Sequence, residues 1–160
     1  MKTSSKILAG LLVAFAATSA SAQTATQTVT FQVDAINLVG VTGSPSLVIN
    51  TATAGSAPTS ATSAGNTWAV TTNQTGAKIT ASIASNMPAG LTLSCTMGAP
   101  AGATSAGAQS LSTVALDMVT TITKLAQSGM SLSYQLDATA AAGVVTSTTR
   151  VVTFTITGGV

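Results

Sequence analysis

The sequence predicts an all-β domain, an antiparallel two-sheet sandwich of seven or eight strands. Two observations carry that expectation. Near one end Thr28-Val29-Thr30-Phe31-Gln32-Val33, and at the other Val151-Val152-Thr153-Phe154-Thr155-Ile156-Thr157, alternate apolar and polar side chains with period two. That is the pattern of a strand with one buried face. Between them, breaks rich in Gly, Pro and Asn separate further short apolar runs, the punctuation of a layered β domain.

The first 22 residues read as a secretory signal peptide. Lys2 and Lys6 form its positive start, residues 7–17 its apolar centre, and Ala20-Ser21-Ala22 its small-residue cleavage site. The apolar centre is about half the length of roughly twenty residues that a bilayer span needs, so no integral membrane span is expected after cleavage. Removing 22 of the 160 residues leaves one domain, 23–160, long enough to bury a core of its own.

Two of the five cations leave with the signal. Lys78, Lys124 and Arg150 then balance Asp34, Asp117 and Asp137. Three scattered cations cannot neutralise a run of phosphates, which excludes a nucleic-acid partner, and they make no polybasic segment for anionic lipid. Charged residues are 5% of the chain, against roughly 25% in an ordinary soluble domain. Solubility therefore rests on Thr, Ser, Asn and Gln, and little charge repulsion opposes self-association.

Taken in order, the opening strand presents Val29, Phe31 and Val33 on one face. The alternation slips across Asp34-Ala35-Ile36-Asn37-Leu38, as at a bulge or a bend between sheets. After Gly43-Ser44-Pro45 a second strand is expected at residues 47–49. Residues 51–66 hold no large apolar side chain and read as a long loop or an edge strand with a weak pattern. Trp68 to Thr72, the turn Asn73-Gln74-Thr75-Gly76 and the run with Ile79, Ala81 and Ile83 read as a hairpin. A strand follows at residues 91–97, then a Gly/Ala segment, 98–107. Residues 111–126 mix helical and strand spacing, and the expectation is a helical turn over 112–116 leading into a short strand. Gln127-Ser128-Gly129 reads as a turn. Strands over 131–138, with Leu132, Tyr134 and Leu136 inward, and over 151–157 complete the domain.

The inventory of chemical groups argues against catalysis. There is no histidine, which removes the commonest general base and metal ligand. The three aspartates are far apart in sequence, so neither a carboxylate pair nor a calcium cluster is expected. Glycine-rich segments carry no phosphate-binding fingerprint. No cofactor and no metal are expected. Cys95 is the single cysteine; it shares the parity of Leu91, Leu93 and Met97 and reads as a small core residue. Asn73-Gln74-Thr75 matches the N-glycosylation sequon. The aromatic residues of the domain, Phe31, Trp68, Tyr134 and Phe154, all fall on the apolar parity of their runs. Trp68 is the best candidate for an exposed ligand contact, such as a sugar platform.

The signal with Ala20-Ser21-Ala22, the Thr-rich stretch 24–33, the Ala/Thr/Ser/Gly loops and the closing runs Leu132-Ser133-Tyr134-Gln135-Leu136 and 151–157 resemble small secreted bacterial immunoglobulin-like sandwiches, including fimbrial and filament subunits. The resemblance spans the domain in style, without a diagnostic motif, and the cysteine pair of many fimbrial subunits is missing. It implies an immunoglobulin-like sandwich, exported to the cell surface, whose N-terminal stretch completes a neighbour's sheet by β-augmentation. Val29, Phe31 and Val33 would then be the assembly residues and a second copy the partner. The alternative is a module binding a glycan or another surface protein through loops 51–66 and 99–107.

Overall fold

The computed structural model describes residues 22–160. The signal-peptide expectation, residues 1–22, lies outside the described residues except for Ala22. The chain divides into two units, residues 1–32 and 33–160. In the first, the described residues 22–32 form no strand and are exposed.

The second unit is all-β. Its nine strands are β1 (Asn37–Thr42), β2 (Ala61–Thr72), β3 (Ala77–Ile83), β4 (Leu91–Met97), β5 (Thr104–Ser105), β6 (Gln109–Ser110), β7 (Leu116–Ile122), β8 (Leu125–Ala138) and β9 (Val152–Thr157). A single 3-10 turn, Ala140–Ala142, is the one helical element among the described residues. The strands form two antiparallel sheets, ordered β1-β2-β8-β4-β6 and β5-β7-β3-β9. One core lies between them. The first sheet supplies Trp68, Val70, Leu93, Cys95, Met97, Met130, Leu132 and Tyr134, and the second Ala77, Ile79, Ala81, Ile83, Met118, Val119 and Ile122. Period-two burial along β3, where Ala77, Ile79, Ala81 and Ile83 are all buried, is the expected signature of a strand with one face on that core.

Several expectations are corrected. Residues 28–33 join no ladder, and the first strand begins at Asn37, inside the stretch where alternation slips. A period-two pattern reports fitness to lie on a sheet; it supplies no edge to pair with. Residues 47–49 keep the alternation, Leu47 and Ile49 half-buried and Val48 exposed, yet belong to no strand. Residues 51–66, expected as a long loop or a weak edge strand, are loop only as far as Ser60, and the strand that follows lies inside its sheet between β1 and β8. β2 already runs from Ala61, with Ala61, Thr62 and Ser63 opposite Leu136, Gln135 and Tyr134, because backbone pairing to a long neighbour needs no large side chains.

The hairpin through Asn73–Gly76 is not one. β2 pairs with β1 and β8, whereas β3 pairs with β7 and β9. The turn carries the chain from one sheet to the other, so Val70 and Ile79 face each other's layer across the core instead of lying side by side. No helical turn forms at 112–116. Ser112 Oγ instead accepts the Val114 N–H at 3.2 Å, a local turn of the kind serine favours over helix. The turn expected at Gln127-Ser128-Gly129 lies inside β8 as a bulge: Trp68 faces Met130 but Val70 faces Gln127, so β8 carries one extra residue there, with Gly129 at φ +73°. A second irregularity puts the extra residue on β2, between Ser63–Tyr134 and Asn66–Leu132, at Gly65 with φ +83°. The two offsets cancel, so the ends of β2 and β8 keep one register while the strands between them bend.

Candidate functional site

Both sheets end on one short and one long strand. β5 and β6 have two residues each, whereas β1 and β9 have six each. The long edges lie near one another: Asn37 at the start of β1 donates from Nδ2 to the carbonyl of Gly158, just past β9, at 3.3 Å. Neither long edge strand contains a charge, a proline or a registered bulge. Those are the devices by which natural sheets discourage an added strand.

β9 shows how such an edge is built. Its sequence Val-Thr-Phe-Thr-Ile-Thr alternates, with Val152, Phe154 and Ile156 half-buried against the core and the threonines exposed. The ladder to β3 runs without a break from Lys78–Thr157 to Ile83–Val152. It continues in the bond from the Ala84 N–H to the Val151 carbonyl, 3.1 Å. Hydrogen-bonded and non-bonded pairs alternate along an antiparallel ladder. Val151, Thr153, Thr155 and Thr157 therefore turn their peptide groups toward β3, and Val152, Phe154 and Ile156 turn theirs to the outer side.

The end of the sheet nearest Gly158 is tied by polar side chains. The buried Thr72 hydroxyl donates to Asn37 Oδ1 (2.6 Å) and accepts the Gln74 N–H (3.0 Å). Thr75 and Val160 exchange two backbone bonds, 2.9 and 3.2 Å, and the Lys124 N–H reaches the Gln74 carbonyl at 2.9 Å. Asn73 engages the chain just before β1. Its Oδ1 accepts the Ile36 N–H at 2.8 Å, its Nδ2 donates to the Asp34 carbonyl at 2.7 Å, and its N–H donates to the Ile36 carbonyl at 3.2 Å. The sequon asparagine thus commits both ends of its amide to the fold.

The residues singled out from sequence fall in different places. Val29, Phe31 and Val33 are 71%, 89% and 77% exposed. Trp68 is 1% exposed, and its indole N–H donates to the Gly98 carbonyl at 3.1 Å. An enclosed indole offers no face to a sugar, which corrects the ligand-contact reading. Its β2 neighbours Val70 and Asn66 are buried on the same side, so parity places the ring inward. Cys95 is a free, buried thiol, and burial pushes it from 9.0 up to about 12. Across the ladder lies Tyr134, pushed up to about 12 by burial and then by the charge of a Cys95 thiolate. Both hold their protons at neutral pH. Asp117 is held by Lys78 at 2.9 Å, an exposed pair worth little to stability. Asp137 takes hydrogen bonds from Ser60 and Gln135. Among the described residues no three His, Cys, Asp or Glu side chains gather as metal ligands, and no helix is long and apolar enough to cross a membrane.

The loops offer less. Residues 51–60 fold on themselves through an Ala52–Pro58 bridge, and 99–107 is tied to the first sheet by Ser105 Oγ to the Met97 carbonyl (2.6 Å) and the Ala101 N–H to Gln127 Oε1 (3.0 Å). A small depression of about 140 Å³ is lined by Thr62, Ser94, Thr96, Ala108, Ser133, Tyr134 and Gln135. What sequence reasoning missed is the part played by Asn73. Its only signal was its place at a turn, and side-chain bonding to neighbouring backbone is what Asn does at turns. Comparison with family models, with curated proteins and with solved structures finds no match to this chain.

Proposed function

We propose that this chain is a non-catalytic structural protein, exported to the cell surface, whose copies associate by edge-strand pairing into a pilus or filament. In this reading the two sheets are an immunoglobulin-like sandwich left open along the seam between β1 and β9. The observation that carries it is a match of two patterns. Val29, Phe31 and Val33 stand exposed at period two outside any strand, and β9 presents Val152, Phe154 and Ile156 at the same period on an uncharged edge. A strand laid against β9 would pair with the outward peptide groups of those three residues while its apolar face covered the seam. Residues 28–33 of a second copy have the length and alternation to do so. The low charge of the chain removes the repulsion that ordinarily keeps such edges apart.

Electron microscopy of the purified protein tests this. Ordered fibres are expected from the wild type and only monomers from the full chain carrying Val29→Asp, Phe31→Asp and Val33→Asp. Fibres from both would remove the stretch from the assembly, and monomers from both would overturn the filament.

A second reading, a glycan-binding module, is favoured by the hydroxyl-lined depression around Thr96 and Ser133. Retention of the wild type, and not a Ser133→Leu variant, on a glycan array would support it.

A further inference from the structure

We propose that Asn73 is the positioning residue for strand donation: it fixes the point at which the donated stretch joins the body of the protein. The inference rests on the assembly reading above and deepens it.

The ladder between β1 and β2 ends at Asn37–Thr72. The next pair in the same register is Ile36–Asn73, and the bond from the Asn73 N–H to the Ile36 carbonyl continues it for one step. Beyond that step β2 has no backbone left to offer, because the chain turns away toward β3. The Asn73 side chain takes over. Its amide carbonyl receives the Ile36 N–H as a backbone carbonyl would, and its amide nitrogen donates to the Asp34 carbonyl as a backbone N–H would. A primary amide holds its acceptor oxygen and its NH2 donor in one plane, as a peptide group holds its C=O and N–H. The N–H of Ile36 requires an oxygen opposite it, which fixes the orientation of the amide.

Asn73 is in turn held from behind. Gln74 Nε2 donates to Asn73 Oδ1 at 2.7 Å, and the turn is bonded to Val160 and Lys124. The three residues that follow Val33 are therefore anchored to a fixed turn, although they lie in no strand. Val33 is one residue from the anchored Asp34. Holding that root ordered in advance lowers the entropy lost when the stretch docks.

The test separates donating from accepting. Full-length acceptor chains carrying Val29→Asp, Phe31→Asp and Val33→Asp, with an affinity tag, are refolded with untagged donors, and the captured donor is measured. The Asn73→Ala donor is expected to be captured about tenfold less than wild type, the equivalent of one to two net hydrogen bonds. Asn73→Ala placed in the tagged acceptor is expected to leave capture of the wild-type donor unchanged. Equal capture of both donors overturns the inference while leaving the assembly reading intact. An equal loss when the change sits in the acceptor marks a general folding defect and also overturns it. No capture of the wild-type donor overturns the assembly reading and this inference with it.

Discussion

The Ala84 N–H donates to the Val151 carbonyl at 3.1 Å, and that bond sets the phase of the whole outer edge of β9. It puts the N–H of Val152 on the outer side and the N–H of Thr153 on the ladder to β3. Proline removes an N–H and is tolerated in sheets where that N–H faces outward or at the first residue of a strand. Val152, the first residue of β9, meets both conditions. Val152→Pro is expected to cost only about 1–2 kcal/mol in urea unfolding and to abolish fibres. Thr153→Pro, one residue on, breaks a ladder bond to Ser82 and is expected to cost about 3 kcal/mol or more. Equal stability losses in the two variants would show that the phase is wrong.

Trp68 is the largest fully buried side chain, and its indole N–H satisfies the Gly98 carbonyl. Trp68→Ala removes that packing and leaves the carbonyl without its donor. The expected loss is about 3–5 kcal/mol, read from the urea midpoint at constant slope. A loss below about 1 kcal/mol would mean the ring is not core.

The all-β class and most of the strand positions were legible because burial on one face of a sheet writes period two into the sequence. The errors fall where a bulge imitates something else. From Ala77–Ile122 to Ala81–Leu116, β7 spends seven residues against five on β3, so Met118, Val119 and Ile122 all reach the core with near-helical spacing. Gly129 produced a turn signal for the same reason, since a bulge and a turn both ask for φ above zero. Sheet membership was not legible at all. A four-residue turn suits a hairpin and a crossing between layers equally, and only the core distinguishes them. At the candidate site, the alternation of Val29, Phe31 and Val33 was plain. The Asn73 anchor was not, because its meaning depends on β1 lying beside it.

Gly43 and Gly65 make a paired test of backbone and space. Both have positive φ, +112° and +83°. A Cβ at Gly65 would meet nothing within 4 Å, whereas one at Gly43 would collide with the side-chain amide of the buried Asn66. Gly65→Ala is expected to cost about 1 kcal/mol for its backbone alone. Gly43→Ala should cost about 2–3 kcal/mol, because Asn66, held by Ser63 Oγ at 3.0 Å, must also move. Thermal melts of the two variants check the order, and a smaller loss at Gly43 would refute the contact.

Cys95 and Tyr134 face each other across β4 and β8, and burial raises both, from 9.0 and 10.0 to about 12. Below about pH 8 both groups are mostly protonated in the folded and the unfolded chain, so they leave stability nearly independent of pH. As pH rises from about 8 to about 12 the unfolded chain releases these protons and the folded chain keeps them. The folded state then binds more protons, and stability falls with rising pH. Urea unfolding at a series of pH values should show this decline, with a shallower slope between pH 9 and 10 in Cys95→Ala. The same burial predicts that a thiol reagent at pH 8 modifies the unfolded protein rapidly and the folded protein only as fast as it opens. Modification of the folded protein at the rate of a free thiol would place Cys95 outside the core.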